Sequence, residues 1–432
     1  MDSKLKGLTI SCMFFLIILV ILFVVYMNRS ELPVKRDDSQ TVNKTVQNDD
    51  VANETFEGKQ IGNNLKAFLE DEEFFDKEKT KYQEYLEKRN TISMILTSIE
   101  KDLRIKIVNY DGDIVTGESF VVDISGKGEY TDDNQDGIIY VPYLKAGDYL
   151  VTLKETEGYT VPANGARVNV KNQVEYVAIE DISMLIKTED EIDPEVDDTG
   201  AMNASEDADS TEIKKLQASL ENATLGIDVS KWNKDIDWEK VKKAGVEFAI
   251  IRCGYRGSST GSLVIDPYFE KNIKGAQTAG INVGIYFFTQ AVTDVEAVEE
   301  ASMVLSLIKN YHITYPVFID TEGAGGSGRA DNLDVEKRTL VCKAFCDTIE
   351  SGGYSAGVYA SKNWYNNRID AEELEDYAIW LAEYRKIPTY EGYYDMWQYT
   401  SKGQIDGIQG NVDLNVSYYD IYADMNADEK DG

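Results

Sequence analysis

Pro316-Val317-Phe318-Ile319-Asp320-Thr321-Glu322 is an apolar run that closes on two carboxylates two positions apart. In a β-strand, alternate side chains share a face, so Asp320 and Glu322 project together from the strand's end. Two neighbouring carboxyl groups resist ionising together, which raises one pKa and keeps the other low. Such a pair holds a proton donor beside an anion at neutral pH. A solvated pair at a loop entrance is the plain alternative, because Asp-x-Glu is a short motif and a glycine-rich stretch, Gly323 to Gly328, follows it.

The sequence on either side repeats the pattern. Apolar runs at Leu225–Val229, Phe248–Gly254, Asn282–Thr289, Pro316–Glu322, Ser355–Ala360, Ala378–Glu383, Tyr394–Tyr399 and Val412–Val416 read as strands. Amphipathic helices at Asp237–Ala244, Pro267–Ala279, Asp294–Lys309 and Val335–Ser351 separate the first five. Strand–helix alternation predicts α/β architecture with parallel strands. The expected domain is a compact, irregular (β/α) barrel over residues 223–423, followed by an acidic tail at 424–432. Barrel sites lie at the C-terminal ends of strands. Asp228 ends the first strand and Asp320 and Glu322 end the fourth, so the fold would bring them to one mouth.

Composition narrows the chemistry. The chain has 432 residues, 77 acidic against 44 basic, for a net charge of −33. Phosphate backbones repel such a chain, so no nucleic-acid partner is expected. His312 is the sole histidine, and it reads as a helix-end residue. A Ser-His-Asp or Cys-His mechanism would have to use it, and a multi-histidine metal site is excluded. The cysteines are Cys12, Cys253, Cys342 and Cys346, with no Cys-x-x-Cys pair, so buried thiols are expected rather than a disulfide framework or zinc site. Carboxylate chemistry remains, without a cofactor or metal.

The N-terminal half is modular. Leu8 to Met27 carry no charge and are long enough to cross a bilayer. No small-residue cleavage site follows, so residues 8–27 read as an uncleaved signal anchor after a cytoplasmic tip at 1–7. Lys4 and Lys6 on one side and Arg29, Lys35 and Arg36 on the other leave orientation to be argued from function. Residues 28–64 are polar and read as a stalk. From 65 to 102, Leu65, Phe68, Leu69, Phe75, Tyr82, Tyr85, Leu86, Ile92, Ile95, Leu96 and Ile99 recur at helical spacing, as in a packed helix or a self-associating coiled coil. Residues 103–182 change to period two with turns between short strands, which predicts a small β-sandwich. Residues 183–222 are rich in Asp and Glu and read as an extended acidic linker.

Two resemblances add to this. The run Asp136 to Glu155 resembles the prealbumin-like, Cna B-type domains of surface proteins. Some of those carry a Lys–Asn isopeptide bond, for which Lys106 and Asn169 are the placed candidates, although the family's acid position is Leu153 here. Asp132 to Gly137 is similar to half a calcium loop, but Tyr143 stands where its bidentate Glu belongs, so a polar turn is expected. Further on, Gly226-Ile227-Asp228-Val229-Ser230 with Trp232, Phe248 to Arg252, Asp266-Pro267, Pro316 to Glu322, Trp380 to Tyr384, Trp397-Gln398-Tyr399 and Gly410 to Asn415 together resemble glycoside hydrolase family 25, the Chalaropsis-type lysozymes.

That resemblance implies hydrolysis of the β-1,4 bond between N-acetylmuramic acid and N-acetylglucosamine in peptidoglycan. Its acids match Asp228, Asp320, Glu322 and Asp413. Glu322 is then the general acid and Asp320 the partner that stabilises charge or orients the substrate's acetamido group. Asp228 and Asp413 tune pKa. Inverting and substrate-assisted retaining courses both stay open. Tyr255, Tyr286, Phe288, Trp380, Tyr384 and Trp397 are candidate sugar platforms, and Glu383 and Gln398 candidate hydrogen-bonding groups. A wall substrate would put the C-terminal domains outside the cell, on a single-pass membrane anchor. A non-catalytic wall-glycan binder or surface scaffold is the alternative, and a chitinase-like carboxylate glycosidase a third.

Overall fold

The computed structural model describes residues 90–192, 223–385 and 387–419. The expected tip, membrane anchor and stalk lie outside these residues, as do residues 65–89, most of the acidic linker and the acidic tail. Among the described residues no helix is long and apolar enough to cross a membrane.

Seven short strands come first: β1 (Ile92–Thr97), β2 (Leu103–Asn109), β3 (Val121–Ile124), β4 (Gly128–Thr131), β5 (Ile138–Val141), β6 (Gly147–Leu153) and β7 (Ala166–Val170). They form two antiparallel sheets, β1-β2-β5 and β4-β3-β6-β7, around a core that includes Leu103, Ile105, Ile107, Phe120, Val122, Ile139 and Val151. Asp132 accepts from the backbone N–H groups of Asp136 and Gly137, which makes a polar turn rather than a metal loop. Asn169 donates to Asp148 at 2.7 Å, and Lys106 pairs with Glu299 of the following domain, so neither is joined to the other.

The helical periodicity expected to residue 102 fails at its end. Residues 92–97 are a strand, paired from Ile92↔Asn109 to Thr97↔Arg104. The spacing of Ile92, Ile95 and Leu96 misleads because both faces of β1 are covered. Ile92 and Met94 enter the sandwich core, while Ile95 enters the core of the next domain. A strand buried on both faces loses its alternation.

The second domain is a closed barrel. Its strands are β9 (Thr224–Val229), β10 (Phe248–Arg256), β12 (Asn282–Phe288), β13 (Val317–Asp320), β14 (Ala356–Ser361), β15 (Ala378–Ala382), β16 (Met396–Gly403) and β17 (Val412–Ser417), and pairing of β10 with both β9 and β12 closes the ring. Helices α1 (Trp238–Lys243), α2 (Phe269–Thr278), α3 (Asp294–Ile308) and α4 (Val335–Ser351) supply the first crossovers, and the short α5 (Lys362–Asn367) follows β14. Parallel pairing runs from β9 through β16. The exception is β17, antiparallel to both β16 and β9. The connection 404–411 carries no crossover helix, so the chain returns as a hairpin.

Alternation along each strand sorts the side chains. Ile227, Ala249, Ile251, Val283, Ile285, Ile319, Val358, Leu381 and Val416 face outward into the layer beneath the helices. Phe248, Ile250, Phe318, Trp380 and Met396 fill the interior. The interior is tight: a Cβ on Gly357 would lie 2.4 Å from the Phe318 ring and 2.6 Å from the Ala378 carbonyl oxygen. Gly357→Ala therefore should cost about 1–3 kcal/mol, read as a lowered thermal midpoint; an unchanged midpoint would show that Phe318 yields freely.

The two domains share a core. Ile95, Ile99, Val108, Tyr176, Ile182 and Leu185 pack with the barrel's outer layer. Ser302 on α3 accepts the Ile179 N–H at 2.9 Å. The first part of the expected linker is also folded. β8 (Ile186–Lys187) runs parallel to β11 (Leu263–Ile265), which is antiparallel to the end of β10. Apolar burial of Leu185 overrides the acidic composition around it, and Glu189 then pairs with Lys231 and accepts from the Tyr255 hydroxyl.

Candidate active site

The strand ends converge on a cavity of about 220 Å³ lined by Asp228, Arg252, Tyr286, Phe288, Asp320, Glu322, Tyr359, Trp380, Tyr384, Gln398 and Asp413, together with Ser230, Asn233, Ser401, Asn411 and the exposed Trp232. Register places these groups. Asp228 lies opposite Asp413 across β9 and β17, Phe288 opposite Asp320, and Asp320 opposite Tyr359. Four carboxyl groups from three places in the sequence thus share one mouth.

A hydrogen-bond network orders them. Gln398 and Asn415 both donate to Asp228 Oδ1, at 2.9 and 2.7 Å. The hydroxyls of Tyr359 and Tyr384 donate to Gln398 Oε1, at 2.9 and 3.0 Å, which turns its amide nitrogen toward Asp228. Trp380 Nε1 donates to Asn415 Oδ1 at 2.8 Å and fixes that amide in the same way. Arg252 is held by Asp266, with Nε 2.8 Å from Oδ2, and presents a cation to the cavity. Asp320 Oδ1 is buried and finds no donor among the described residues.

Burial and mutual repulsion raise all four acids. Burial pushes Asp228 up to about 6, against the lowering effect of its two amide donors. Glu322 is pushed up to about 8 by burial and by the charge of Asp228. Asp320 is raised well above the usual range by burial, then by Glu322 and Asp228, while Arg252 pulls it down. Asp413 is raised by burial and by Asp228 and Glu322. The set loses protons stepwise as a group. Asp228, with two donors on one oxygen, ionises early. Glu322 keeps its proton at neutral pH, and an uncharged Glu322 relieves Asp320 of the largest charge acting against its ionisation. The cavity thus combines a proton donor in Glu322, an early-ionising Asp228, the Arg252 cation, and fixed amides and phenols.

The spacing of Asp320 and Glu322 has its own support. Thr321, between them, is buried, and its hydroxyl is 3.2 Å from Nη1 of Arg338 on α4. The Arg338 guanidinium stacks 4.2 Å from the Trp364 ring and donates to the Ala330 carbonyl. With Thr321 anchored outward, its two neighbours face the cavity.

Three expected sugar contacts lie elsewhere. Tyr255 is fully buried beside Val264, Phe288 and Ala324, because β11 pairs alongside the end of β10 with Val264 opposite Tyr255, and its hydroxyl donates to Glu189. Trp397 faces outward into the helix-covered layer, one residue out of phase with Gln398, and its Nε1 donates to the Glu383 carbonyl. Glu383 spends its carboxylate on Thr389 N and Oγ1 and on Tyr390 N, at 2.7, 2.6 and 3.1 Å. It anchors a loop beside the cavity. Tyr286, Phe288, Trp380, Tyr384 and Gln398 do line it. Arg252, Tyr359, Asn411 and Asn415 were not named as site residues from sequence. Arg252 had a signal: a charge at the end of an apolar strand run.

Residues 227–408 match the model of the family described as Glycosyl hydrolases family 25. The uncharacterized protein YegX of Escherichia coli K12 is 28% identical over 193 residues, 44% of this chain and 68% of its own length. The autolytic lysozyme of Clostridium acetobutylicum is 25% identical over 191 residues, 44% of this chain and 54% of its own. The modular autolysin LytC of Streptococcus pneumoniae, solved with a synthetic peptidoglycan ligand, aligns with a TM-score of 0.41 and 25% identity over 65% of this chain and 59% of that one. The chain therefore spans little more than half of the latter two proteins. Its barrel is a family 25 glycosyl hydrolase domain of the lysozyme type.

Proposed function

We propose that the chain is a membrane-anchored muramidase that cleaves the β-1,4 bond between N-acetylmuramic acid and N-acetylglucosamine in peptidoglycan. The observation that carries this reading is the pairing, in one cavity, of a Glu322 that keeps its proton to about pH 8 with an Asp320 whose buried oxygen lacks a donor. Glu322 gives its proton to the glycosidic oxygen as the bond to the ring carbon breaks. Asp320 accepts the N–H of the acetamido group and aims that group's carbonyl oxygen at the ring carbon, where positive charge develops. Glu322, now an anion, takes a proton from the water that completes hydrolysis. Asp228, fixed by Gln398 and Asn415, supplies the field that keeps Glu322 protonated. Asp413 sits across from Asp228 and is raised by burial and by that same charge.

The test is incubation of the full chain with purified peptidoglycan, followed by identification of the new reducing ends. N-acetylmuramic acid ends support the reading; N-acetylglucosamine ends or none overturn it. Residues 8–27 supply the anchor in this proposal, with the catalytic domain facing the wall. Recovery of the chain in the soluble fraction would refute that part.

Trp232 stands 42% exposed at the cavity rim with Lys231 Nζ 4.8 Å from its ring centre. One face of the indole remains for a pyranose. Trp232→Ala should raise KM about fivefold to tenfold with kcat little changed; a fall in kcat alone would remove Trp232 from the binding surface.

A further inference from the structure

A second groove, of about 890 Å³, begins at Glu322 and runs past Gly323–Gly326 toward α5. It shares Glu322, Tyr359 and Tyr384 with the catalytic cavity, so a ligand seated in one continues into the other. Its volume falls within the roughly 300–1,000 Å³ of sites that hold a whole small ligand.

Its charge runs against that of the chain. Lys362 and Arg385 line it, in a protein of net charge −33. Glu383 lies between them, 3.5 Å from Lys362 Nζ and 3.4 Å from Arg385 Nε. That carboxylate is already satisfied by Thr389 and Tyr390, so it sets the two cations in place rather than depending on them. Lys362 is further fixed by donation to the Thr389 carbonyl at 2.9 Å. Arg385 meets Glu383 through Nε, which leaves its two terminal nitrogens to grip a carboxylate. With Glu322 protonated, the described charges of the groove sum to one surplus cation.

We propose that this groove is a subsite for the carboxylate-bearing peptide carried by the glycan, with Lys362 and Arg385 as the pair that receives its carboxylate. The inference rests on the muramidase reading for the nature of the glycan. Glycan phosphates share the anionic chemistry. The peptide is favoured because the groove leads directly off the cavity that would hold the peptide-bearing sugar.

The experiment is calorimetric binding to the full chain carrying Glu322→Gln, so that turnover does not enter. The probes are wall tetrasaccharides with peptides intact, with peptides removed, with peptide carboxylates amidated, and with an added glycan phosphate. The expected result is Kd at least tenfold tighter for the intact peptide than for the stripped or amidated forms. Adding Lys362→Gln and Arg385→Gln should collapse that ratio, and Lys362→Arg should retain it. The preference should shrink as salt rises. Equal Kd for intact and stripped probes, or a ratio that survives the double change, overturns the proposal. So does a preference for the phosphate probe alone. Failure of the wild-type chain to cut the wall would overturn the muramidase reading, yet leave these ratios measurable.

Discussion

Glu322→Gln should lower kcat on peptidoglycan by about 10²–10⁴-fold while leaving KM within a fewfold of the parent. That range is what a positioned proton donor contributes. Gln keeps the shape and hydrogen-bonding ends of the side chain but has no proton to give. The pH profile sharpens the test. Glu322 acts in its protonated form, and burial with the charge of Asp228 pushes its pKa up to about 8, so activity should be lost as pH rises through that value. Asp228, pushed up to about 6, sets an acid limb below which the cavity lacks its first anion. The parent should give a bell with limbs near these two values, measured as kcat/KM for release of reducing ends. The residual rate of the variant should lack the basic limb. A variant as active as the parent, or one that keeps the basic limb, would transfer the acid role to another carboxyl of the set.

Much of this site could be read from strand ends. Asp228 and Asp320 close apolar runs, and barrel topology gathers such ends. Side-chain direction was harder. Gln398 faces in and Trp397 faces out because β16 alternates, and only the register with β15 and β17 fixes which phase holds. Tyr255 was beyond reach, since what buries it is the pairing of β11 along the end of β10, a contact with no local signal. Glu383 looked like a ligand group because it ends a strand beside the others; what it does is decided by Thr389 and Tyr390, a loop away. The strand at Ile92–Thr97 was misread for a tertiary reason. Its second face is covered by the barrel, a contact with no local signal. The antiparallel β17 follows from the short return at 404–411, whose lack of a helix was legible.

The same carboxylates should make the barrel pay in stability for its chemistry, and removing one charge should reveal how much. In the unfolded chain Glu322 ionises above its ordinary value of 4.5, whereas the native cavity keeps it protonated to about 8. Between those values the unfolded state binds fewer protons than the native state. Native stability must therefore fall as pH rises from about 4.5 to about 8, then level off. Glu322→Gln removes the titration. Its gain should be near zero at pH 4 and grow to roughly 3 kcal/mol at pH 8, at about 1.4 kcal/mol per unit with allowance for partial exposure. In thermal unfolding of the full chain this is roughly 3–5 °C. Asp413→Asn should move in the same direction, because burial and the charges of Asp228 and Glu322 raise Asp413 also. Asp228→Ala should do the opposite. It strands the amides of Gln398 and Asn415, whose buried donors would lose their acceptor, at a cost of about 1–3 kcal/mol. A Glu322→Gln gain that is flat with pH would mean simple repacking rather than relief of a buried charge. A loss at pH 8 would mean that Glu322 is already ionised there in the native state, and the proton that the proposed chemistry requires would have to come from elsewhere in the set.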